Sequence, residues 1–583
     1  MRDHVVIYVN GKRLAIVGDD VFSSLAESLR QRGLVGTKIG CGEGDCGACT
    51  VLAGAPDNGS IRYRTSVSCI RPVHQLDGMH VVTIEGISPE GTLSPVQQAM
   101  VDCHGSQCGF CTPGFVNSLT ALFEGDGLVD DDALRTGLAG NLCRCTGYEP
   151  IVAAGMAVDP VKVRRLSSLY SSPVMVDELT ACAKSPILIK TGDRFLFRPV
   201  RLEDALLFRA RHPGAAIAAG ATELGVARNK LGLEFPAVLS LAAISELAKI
   251  TRDDVGVLSV GANVTWAQLE AFAKDASPEI HALTHRFGSP QIRNVATLVG
   301  NIAHGSPVAD SLCFLAIVEA ELELIGVRGS RRVAVQEFHT GPKQTVLAAD
   351  EIITRVLIPP IAPNEIIKLY KISKRKEMDV STFRAGIRLR RRGDRIESAA
   401  IAFCGVGPTV LRLPRTEAFL AGGPFREETF REAGRLARAE VEPITDVRGS
   451  RAFRLQLAEN ILVKFYHETE DAARGANGKA GPISGALGIR VTEPPVAASG
   501  PHESARAHVT GQAAYLDDHP AYRNELLVEF VGSPAAHARI VAIDITDALA
   551  VEGIAGVFSA ADVPGDNHFG PIFHDEELLA ACE

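Results

Sequence analysis

The chain has 583 residues, of which 46% are hydrophobic, and a formal net charge of −9 at pH 7. This length allows about three to five domains with separate cores. The acidic balance argues against nucleic acid as a partner, and no stretch approaches the roughly 18 continuous apolar residues of a membrane span. The first residues do not read as a signal peptide, and free thiols suit a reducing compartment, so we expect a cytoplasmic protein.

Residues 1–88 are predicted to form a ferredoxin-like domain. Alternating apolar and polar residues flank Asn10-Gly11, a pattern typical of a β-hairpin. Four cysteines follow with the spacing C-x4-C-x2-C…C, and they are Cys41, Cys46, Cys49 and Cys69. This spacing indicates a plant-type [2Fe–2S] cluster, whose two irons need four thiolates. A zinc ribbon and four buried free thiols are the alternatives.

Residues 89–165 contain a second set of four cysteines in the motifs GSQCGFCTPGF and NLCRCTGYEP, and they are Cys108, Cys111, Cys143 and Cys145. Thr112 is predicted to cap a helix with Pro113 at its first position, followed by apolar residues at helical spacing. Both cysteine pairs are therefore expected at helix ends, in a small bundle that holds a second cluster. Two zinc knuckles are the alternative interpretation.

From about residue 195, strands and helices alternate without cluster motifs. One segment is so rich in Ala, Gly and Thr that its backbone can approach a ligand and offer N–H groups to a pyrophosphate, and it comprises Ala218, Ala219, Gly220, Ala221, Thr222, Glu223 and Leu224. A second set offers short donors and acceptors, and it comprises Thr297, Gly300, Asn301, Ser306 and Asp310. Tight packing between helix and strand is the alternative for both segments.

The two cysteine motifs, in this order, resemble the iron–sulfur portion of the molybdenum hydroxylases, and the segments AGATELG and RNVATLVGNIAHGSPVAD resemble the flavin domain of that family. The resemblance implies two [2Fe–2S] clusters and FAD. It also implies that electrons enter at the second cysteine set, with Gln107 in contact with the pterin. Phe287, Lys371 and Asp379 are assigned to the cofactor site as well, although an ordinary surface ion pair is the alternative for Lys371 and Asp379.

The acceptor of the electrons is expected to be NAD or another molecule. In FHTGPKQT, Pro342 stands where nicotinamide-using members of the family usually carry an aromatic residue. Proline offers neither a stacking ring nor an N–H group. The resemblance therefore supports FAD as carrier more strongly than NAD as acceptor.

We expect a multidomain α+β protein. The expected parts are a β-grasp ferredoxin-like domain (1–88), a four-helix-bundle [2Fe–2S] domain (89–165), a linker (166–190), an α+β FAD-binding domain of the molybdenum-hydroxylase and vanillyl-alcohol-oxidase type (191–365), an α+β flavoprotein C-terminal domain (366–472), a Gly- and Pro-rich linker (473–500), and a truncated α/β hammerhead-type part of the molybdopterin-binding region (501–583).

The expected function is that of the electron-transfer part of a xanthine dehydrogenase-like oxidoreductase. No catalytic residue for hydroxylation is expected in this chain, because that reaction takes place at the metal in the family. Substrate conversion would need a molybdopterin-binding large subunit or a missing C-terminal region, so a hetero-oligomer is expected. The same part of an aldehyde oxidase or dehydrogenase is the alternative, and an inactive or binding fragment is a second one.

Overall fold

The computed structural model describes residues 1–125, 127–473, 500–520, 522–570 and 572–582. These residues fall into two compact units, Met1–Ala514 and Tyr515–Glu583. The predicted linker 473–500 lies outside the described residues except at its two ends. Across the described ranges, every helix is too short or too polar to cross a lipid bilayer.

The first unit begins with a five-stranded mixed sheet crossed by the helix Leu25–Gln31. The strands, in spatial order, are Lys12–Ile16, Val5–Val9, Met79–Val82, Thr50–Asp57 and Ser60–Val67. Val5–Val9 and Met79–Val82, the first and fifth strands in the chain, meet near the centre of the sheet and run parallel, as in a β-grasp sheet. The predicted hairpin at Asn10-Gly11 is confirmed, since Val9 pairs with Lys12 and both turn residues have positive φ.

Four helices form the next part, as predicted, and they are Pro95–Asp102, Thr112–Glu124, Asp131–Leu138 and Glu149–Ala157. The prediction that Thr112 caps the second of these helices is wrong, because Cys111 occupies the N-cap position and the helix begins at Thr112. Loop geometry required by the cysteines therefore prevails over the usual hydroxyl cap. Residues 166–190, expected as a linker, contain the helices Leu166–Tyr170 and Pro173–Ala183.

Two sheets build the third part. A four-stranded sheet has the order Ile187–Thr191, Arg194–Arg198, Ala237–Ser240, Ala216–Ala218, and a five-stranded antiparallel sheet has the order Ile250–Arg252, Leu258–Gly261, Ile352–Ile358, Glu321–Gly326, Gly329–Ala334. The helices between them are Leu202–Arg211, Thr222–Leu231, Trp266–Ala276, Pro278–His285, Pro290–Arg293, Leu298–Ala303, Leu312–Ile317 and Val335–Phe338. A small hairpin pairs His339–Gly341 with Gln344–Thr345.

The fourth part is an antiparallel sheet covered by helices. Its strands, in spatial order, are Glu365–Ile372, Phe383–Arg392, Arg395–Cys404 and Leu411–Arg412, and its helices are Pro414–Leu420, Glu427–Ala439 and Arg451–Ala473. Buried Phe383, Phe403, Phe430 and Phe465 contribute to the core between these layers. The short helix Ala505–Thr510 also belongs to the first unit.

The second unit has little regular structure. Its described elements are the helix Thr546–Leu549, the 3-10 turns Leu516–Asp518 and Ala560–Asp562, and the paired strands His568–Phe569 and Glu576–Glu577. Many large apolar side chains are exposed, among them Leu527 and Val531, each 98% exposed. This unit therefore buries little apolar surface of its own.

A buried ion cluster ties the first sheet to the four-stranded sheet. Asp77 has a fully buried side chain, and its carboxylate accepts hydrogen bonds from both terminal nitrogens of Arg2 at 2.8 and 2.6 Å. Arg198, on the other sheet, lies 3.1 Å from the same carboxylate. The backbone N–H of Val6 donates to it at 2.9 Å. One carboxylate therefore holds two guanidinium groups and a strand together.

We expect Asp77→Asn to lower the free energy of unfolding by about 3–5 kcal/mol, because two buried guanidinium groups lose their counter-charge. The measurement is the urea midpoint by circular dichroism. Asp3→Asn is the matched control, since Asp3 is 91% exposed and pairs only with neighbouring His4 in the described contacts. Equal midpoints for the two variants would show that the Asp77 cluster does not hold the sheets together.

Candidate iron–sulfur and flavin sites

The first cysteine set lies on a loop between the helix Leu25–Gln31 and the strand Thr50–Asp57. Backbone N–H groups of Glu43, Asp45 and Cys46 point at the Cys41 sulfur, with N···S distances of 3.3–3.4 Å. Neighbouring thiols and these N–H groups lower the pKa of Cys41 well below its ordinary value. A loop that favours thiolate and directs N–H groups at sulfur fits the requirements of a diiron cluster.

The thiols of this set converge. Cys41 is within hydrogen-bonding reach of Cys46 and Cys69, and Cys69 is within reach of Cys49. Cys49 and Cys69 are buried, whereas Cys41 and Cys46 are half-buried. The structure therefore brings together all four residues that the spacing had selected.

The second cysteine set lies at helix ends, as the sequence predicted. Cys111 immediately precedes the helix Thr112–Glu124, and the loop of Cys143 and Cys145 leads into the helix Glu149–Ala157. The thiols meet across the two segments, Cys111 with Cys143 and Cys108 with Cys145. Both Cys108 and Cys145 are exposed. One edge of this site is thus open at the surface of the described residues.

The loop after Cys145 is shaped by two residues with positive φ. Gly147 has φ +70° and Tyr148 has φ +73°, and the helix begins at the next residue. The Thr146 hydroxyl donates to the Cys143 sulfur at 3.2 Å. Although burial raises the pKa of Cys143, the hydrogen bonds of Thr146 lower it below its ordinary value. This set, too, contains a thiol whose surroundings favour the thiolate that binds iron.

Among the described residues, one hydrogen bond joins the backbones of the two cysteine sets. The N–H group of Leu142, the residue before Cys143, donates to the carbonyl oxygen of Cys46 at 2.9 Å. Cys46 and Cys143 belong to different sets. The path through bonds from one sulfur to the other therefore contains one noncovalent step, which is this hydrogen bond. The two candidate clusters are therefore neighbours.

Buried amides fix this junction. Asn141 donates to the carbonyl of Gly47 at 3.0 Å and accepts from the Ser118 hydroxyl at 2.7 Å. Gln291, from the third part of the unit, donates to the Asn141 side-chain oxygen at 2.9 Å. Gly47 and Gly140 touch there so closely that a Cβ on Gly47 would collide with the Gly140 carbonyl. Small residues and three amide hydrogen bonds thus set the spacing of the cysteine loops.

The sequence-predicted flavin residues surround a cavity of about 340 Å³ in the third part. Those that line it are Ala219, Gly220, Ala221, Thr222, Glu223, Leu224, Phe287, Thr297, Gly300 and Asn301. Ala221 has φ +57° and caps the helix Thr222–Leu231, whose N-terminal end therefore opens on the cavity. A helix N-terminus with free N–H groups fits a pyrophosphate. The size and the N–H groups suit a flavin dinucleotide.

The apolar walls of this cavity escaped the sequence reasoning. They comprise Ile217, Leu241, Ala262, Ala296, Val299, Ala303, Leu347, Ile352 and Ile353, together with the polar His304. These side chains come from separate strands and helices, and each looks like an ordinary core residue in the sequence. Ala296, Val299, Ala303 and His304 lie within the motif that supplied Thr297 and Asn301, so that motif was the available signal for them.

The other predicted cofactor residues lie outside the lining of the cavity. Ala218 is fully buried in its strand, and the Ser306 hydroxyl accepts from the backbone of Val308. Lys371 pairs with Asp310 at 3.0 Å, so it does not form a surface pair with Asp379. The carboxylate of Asp379 instead accepts from the backbone N–H of Arg375 at 2.9 Å.

Gln107 is exposed beside Cys108, as its predicted contact with a pterin would require. Its backbone carbonyl lies 3.1 Å from the His502 ring nitrogen. The structure thus places Gln107 at the open edge of the second cysteine set.

Asp310 is the centre of a buried charge cluster. Its carboxylate pairs with Lys371 and Arg384, whose side chains are 6% and 5% exposed, and accepts from the Ser381 hydroxyl. Burial by itself raises the pKa of Asp310, but the two cations outweigh it and lower the pKa below the ordinary value. The carboxylate therefore stays ionised and fixes the strand that carries Lys371.

We expect Asn141→Ala to lower the free energy of unfolding by about 1–3 kcal/mol, because it removes three buried hydrogen bonds, to the Gly47 carbonyl, the Ser118 hydroxyl and the Gln291 amide. The measurement is the denaturant midpoint of the iron-loaded protein. Asn460→Ala is the control, because Asn460 is exposed and accepts only from Gln456 one turn away in the described contacts. A midpoint unchanged from that of the control would contradict a structural role for the amide junction.

Five family models match the chain in order. They are a 2Fe-2S iron–sulfur cluster binding domain at residues 7–70, a [2Fe-2S] binding domain at 83–156, the FAD binding domain in molybdopterin dehydrogenase at 190–361, the CO dehydrogenase flavoprotein C-terminal domain at 368–469, and the a/b hammerhead domain of aldehyde oxidase and xanthine dehydrogenase at 510–583. The chain therefore has two [2Fe–2S]-binding domains and one FAD-binding domain.

Relatives of known name agree with these matches. Xanthine dehydrogenase 1 of Arabidopsis thaliana is 31% identical over 99% of this chain and 49% of its own length, and aldehyde oxidase 2 of Cavia porcellus is 31% identical over 99% and 50%. Among solved structures, quinoline 2-oxidoreductase from Pseudomonas putida 86 has a TM-score of 0.44 and 29% identity, covering 48% of this chain and 96% of its own. The chain spans about half the length of the curated relatives it matches. With these domains in this order, the chain belongs to the molybdenum hydroxylase family of oxidoreductases.

Proposed function

We propose that this chain transfers electrons from a molybdopterin centre outside the described residues to an acceptor at its FAD site, as part of a xanthine dehydrogenase-like enzyme. The observation that carries the proposal is the hydrogen bond from Leu142 N–H to the Cys46 carbonyl, which joins the two cysteine sets. Two thiolate sets held this close serve electron transfer better than two separate structural metal sites.

When bound, the clusters carry one electron each and the flavin exchanges either one or two. The residues of the chain hold these groups in sequence. Cys108 and Cys145 form the exposed edge at which electrons would enter, with Gln107 beside them. Cys46 and Cys143 lie at the junction between the two sets, and Gln291 links that junction to the flavin domain.

At the acceptor side of the flavin cavity, the charged side chains suggest an anionic acceptor. Glu223 lines the flavin cavity, and its carboxylate pairs with His304 at 3.3 Å and with Lys343 at 3.4 Å. Lys343 follows Pro342 in the small hairpin. Lys343 offers a positive charge to an anionic acceptor such as a dinucleotide phosphate, although Pro342 offers no ring for stacking on nicotinamide. We therefore propose that the electron acceptor is NAD or a dye-like molecule with a charge similar to that of NAD.

The second unit supports the need for a molybdopterin-bearing partner or further region. Within this unit, successive apolar side chains stand in solvent, with Leu526 66%, Val528 78% and Phe530 82% exposed. Soluble proteins rarely expose such a contiguous apolar run without covering it. We propose that a molybdopterin-binding polypeptide covers this segment, which makes the working protein a hetero-oligomer or a longer chain.

A second candidate is the same role in an aldehyde oxidase. The identity to Cavia porcellus aldehyde oxidase 2 equals that to Arabidopsis thaliana xanthine dehydrogenase 1, at 31%. The electron-transfer residues described above serve either enzyme equally well. Substrate oxidation by the assembled enzyme, with xanthine and an aldehyde compared, decides between them.

We expect Cys145→Ser to abolish one cluster's electron paramagnetic resonance signal and to uncouple substrate oxidation from flavin reduction. Reduction of a dye by NADH at the flavin should persist, because that reaction does not need the entry cluster. The measurements are the signals of the dithionite-reduced protein, iron per chain, expected near four in the wild type, and the dye rate. Cys49→Ser is the matched variant, and it should remove the other signal. Loss of NADH-driven dye reduction in Cys145→Ser would contradict the proposed order of electron flow.

We expect Asp310→Asn to reduce FAD retention, because Lys371 and Arg384 then lie buried without a counter-charge at a cost of about 3–5 kcal/mol. The measurement is FAD per chain after gel filtration. Folding lowers the pKa of Asp310. The stabilisation that its carboxylate provides is therefore fully present above the ordinary pKa of 3.8, and it is lost as the pH falls through the lower pKa of the folded state. The FAD retention of the wild type should therefore be constant from about pH 5 to 8. Asp379→Asn, in the exposed loop, is the control, and equal FAD loss in both variants would contradict the role of Asp310.

A further inference from the structure

Outside the cofactor sites, the helices Trp266–Ala276 and Pro278–His285 form a tight antiparallel hairpin. Ser277 joins them and caps the second helix through its hydroxyl. His281 and His285 lie one turn apart on that helix, with nearly parallel rings whose centroids are 5.7 Å apart. Glu270, on the first helix, faces them. One possible ligand atom of each of the three side chains lies within 4.8 Å of the other two.

We propose that Glu270, His281 and His285 bind a divalent transition-metal ion of the zinc class. Two imidazoles and one carboxylate form a donor set that zinc uses in proteins, with a fourth position left for water. Oxygen-preferring ions such as magnesium are disfavoured, because two of the three ligands are nitrogen. The proposal does not depend on the electron-transfer function, since none of these residues contacts a cysteine set or lines the flavin cavity among the described residues.

The carboxylate of Glu270 is oriented for this role by a buried arginine. Arg293, whose side chain is 8% exposed, pairs with one oxygen of Glu270 at 3.0 Å. The other oxygen faces the His285 ring nitrogen at 2.8 Å. Such outer partners orient the ligands of metal sites. The guanidinium charge also repels a cation, so we expect exchangeable binding rather than a permanent structural ion.

Access for the ion is open. His285 has a 48% exposed side chain, whereas Glu270 is 20% exposed. The ion can therefore enter from solvent and replace the hydrogen bond between His285 and Glu270. Packing of the two helices against each other does not require two histidines one turn apart on this face. A metal ion would use both of them as ligands.

The proposed metal site lies at the end of a helix that leads to the flavin cavity. The second helix ends at His285, and Phe287, two residues on, stacks on Trp266 with centroids 3.9 Å apart and an angle of 7° between the rings. Arg293 donates to the carbonyls of both His285 and Phe287. A metal ion that fastens the hairpin would therefore restrain the segment that carries Phe287 to the flavin cavity.

The test is a zinc titration of the iron- and FAD-loaded protein in competition with a chromophoric chelator. The wild type should take up about one zinc ion at this site. His285→Gln and His281→Gln should each weaken that uptake by roughly tenfold or more, because each removes a ligand. The matched control is His467→Gln, since His467 is 54% exposed and lies 3.7 Å from a single carboxylate, Glu427.

Iron and FAD per chain are measured for every variant, so that zinc bound at damaged cluster sites is recognised. As a second measurement, zinc should slow hydrogen exchange of peptides covering residues 278–287 in the wild type and in His467→Gln only. Zinc uptake unchanged in both histidine variants, or no uptake by the wild type that the chelator can detect, overturns the proposal. Neither outcome bears on the electron-transfer function, which the cysteine variants test separately.

Discussion

The structure depends on bringing four sulfur atoms together twice, in two loops that touch. A diiron cluster needs four soft ligands at fixed positions, and a loop that wraps one must direct its N–H groups inward. In this chain there is a further requirement, because the two cysteine loops also contact each other. Gly47 and Gly114 allow this contact, because a Cβ on Gly47 would collide with the Gly140 carbonyl and a Cβ on Gly114 with the Gly47 carbonyl. Gly140 leaves room for the Gln291 side chain in the same way. Glycine at these positions follows from the packing of one loop against the other as well as from the ligand geometry.

Around this junction, buried polar groups act beside the apolar contacts that hold the parts of the first unit together. Asn141, Gln291 and Ser118 exchange hydrogen bonds with no access to solvent. Such a network is directional, so it specifies one arrangement of the loops where apolar packing would allow small slips. Asp77 and Asp310 act in the same way with charge, each holding two cations from different elements. A few buried polar and charged groups thus help to fix the positions of the parts, and removing one of them is costly.

Much of the cysteine sites and of the flavin cavity could be predicted from the sequence, because the spacing of ligand residues is visible in their linear order. The grouping of the eight cysteines into two sets, the hairpin at Asn10-Gly11 and most of the polar residues that line the cavity follow from local motifs. The role of these cysteines as cluster ligands stays a prediction. The partners of Asp310 could not be predicted, since Lys371 and Arg384 come from later strands and only the sheet brings them back. The prediction of Thr112 as a cap was wrong for a related reason, because the cysteine loop places the N-cap at Cys111, one residue earlier than the hydroxyl rule suggests.

The segment from Phe287 to Gln291 shows how the parts are coupled. At one end, the Phe287 ring lines the flavin cavity and stacks on Trp266. At the other end, the Gln291 amide reaches Asn141, two residues before Cys143. Between them, Ser289 caps the short helix Pro290–Arg293 and makes the connection rigid. A displacement at the cluster junction must therefore move the flavin wall as well, because five consecutive residues span the two sites. Electron transfer over a fixed distance benefits from such a connection, and it explains why a polar amide is buried where an apolar side chain would pack more easily.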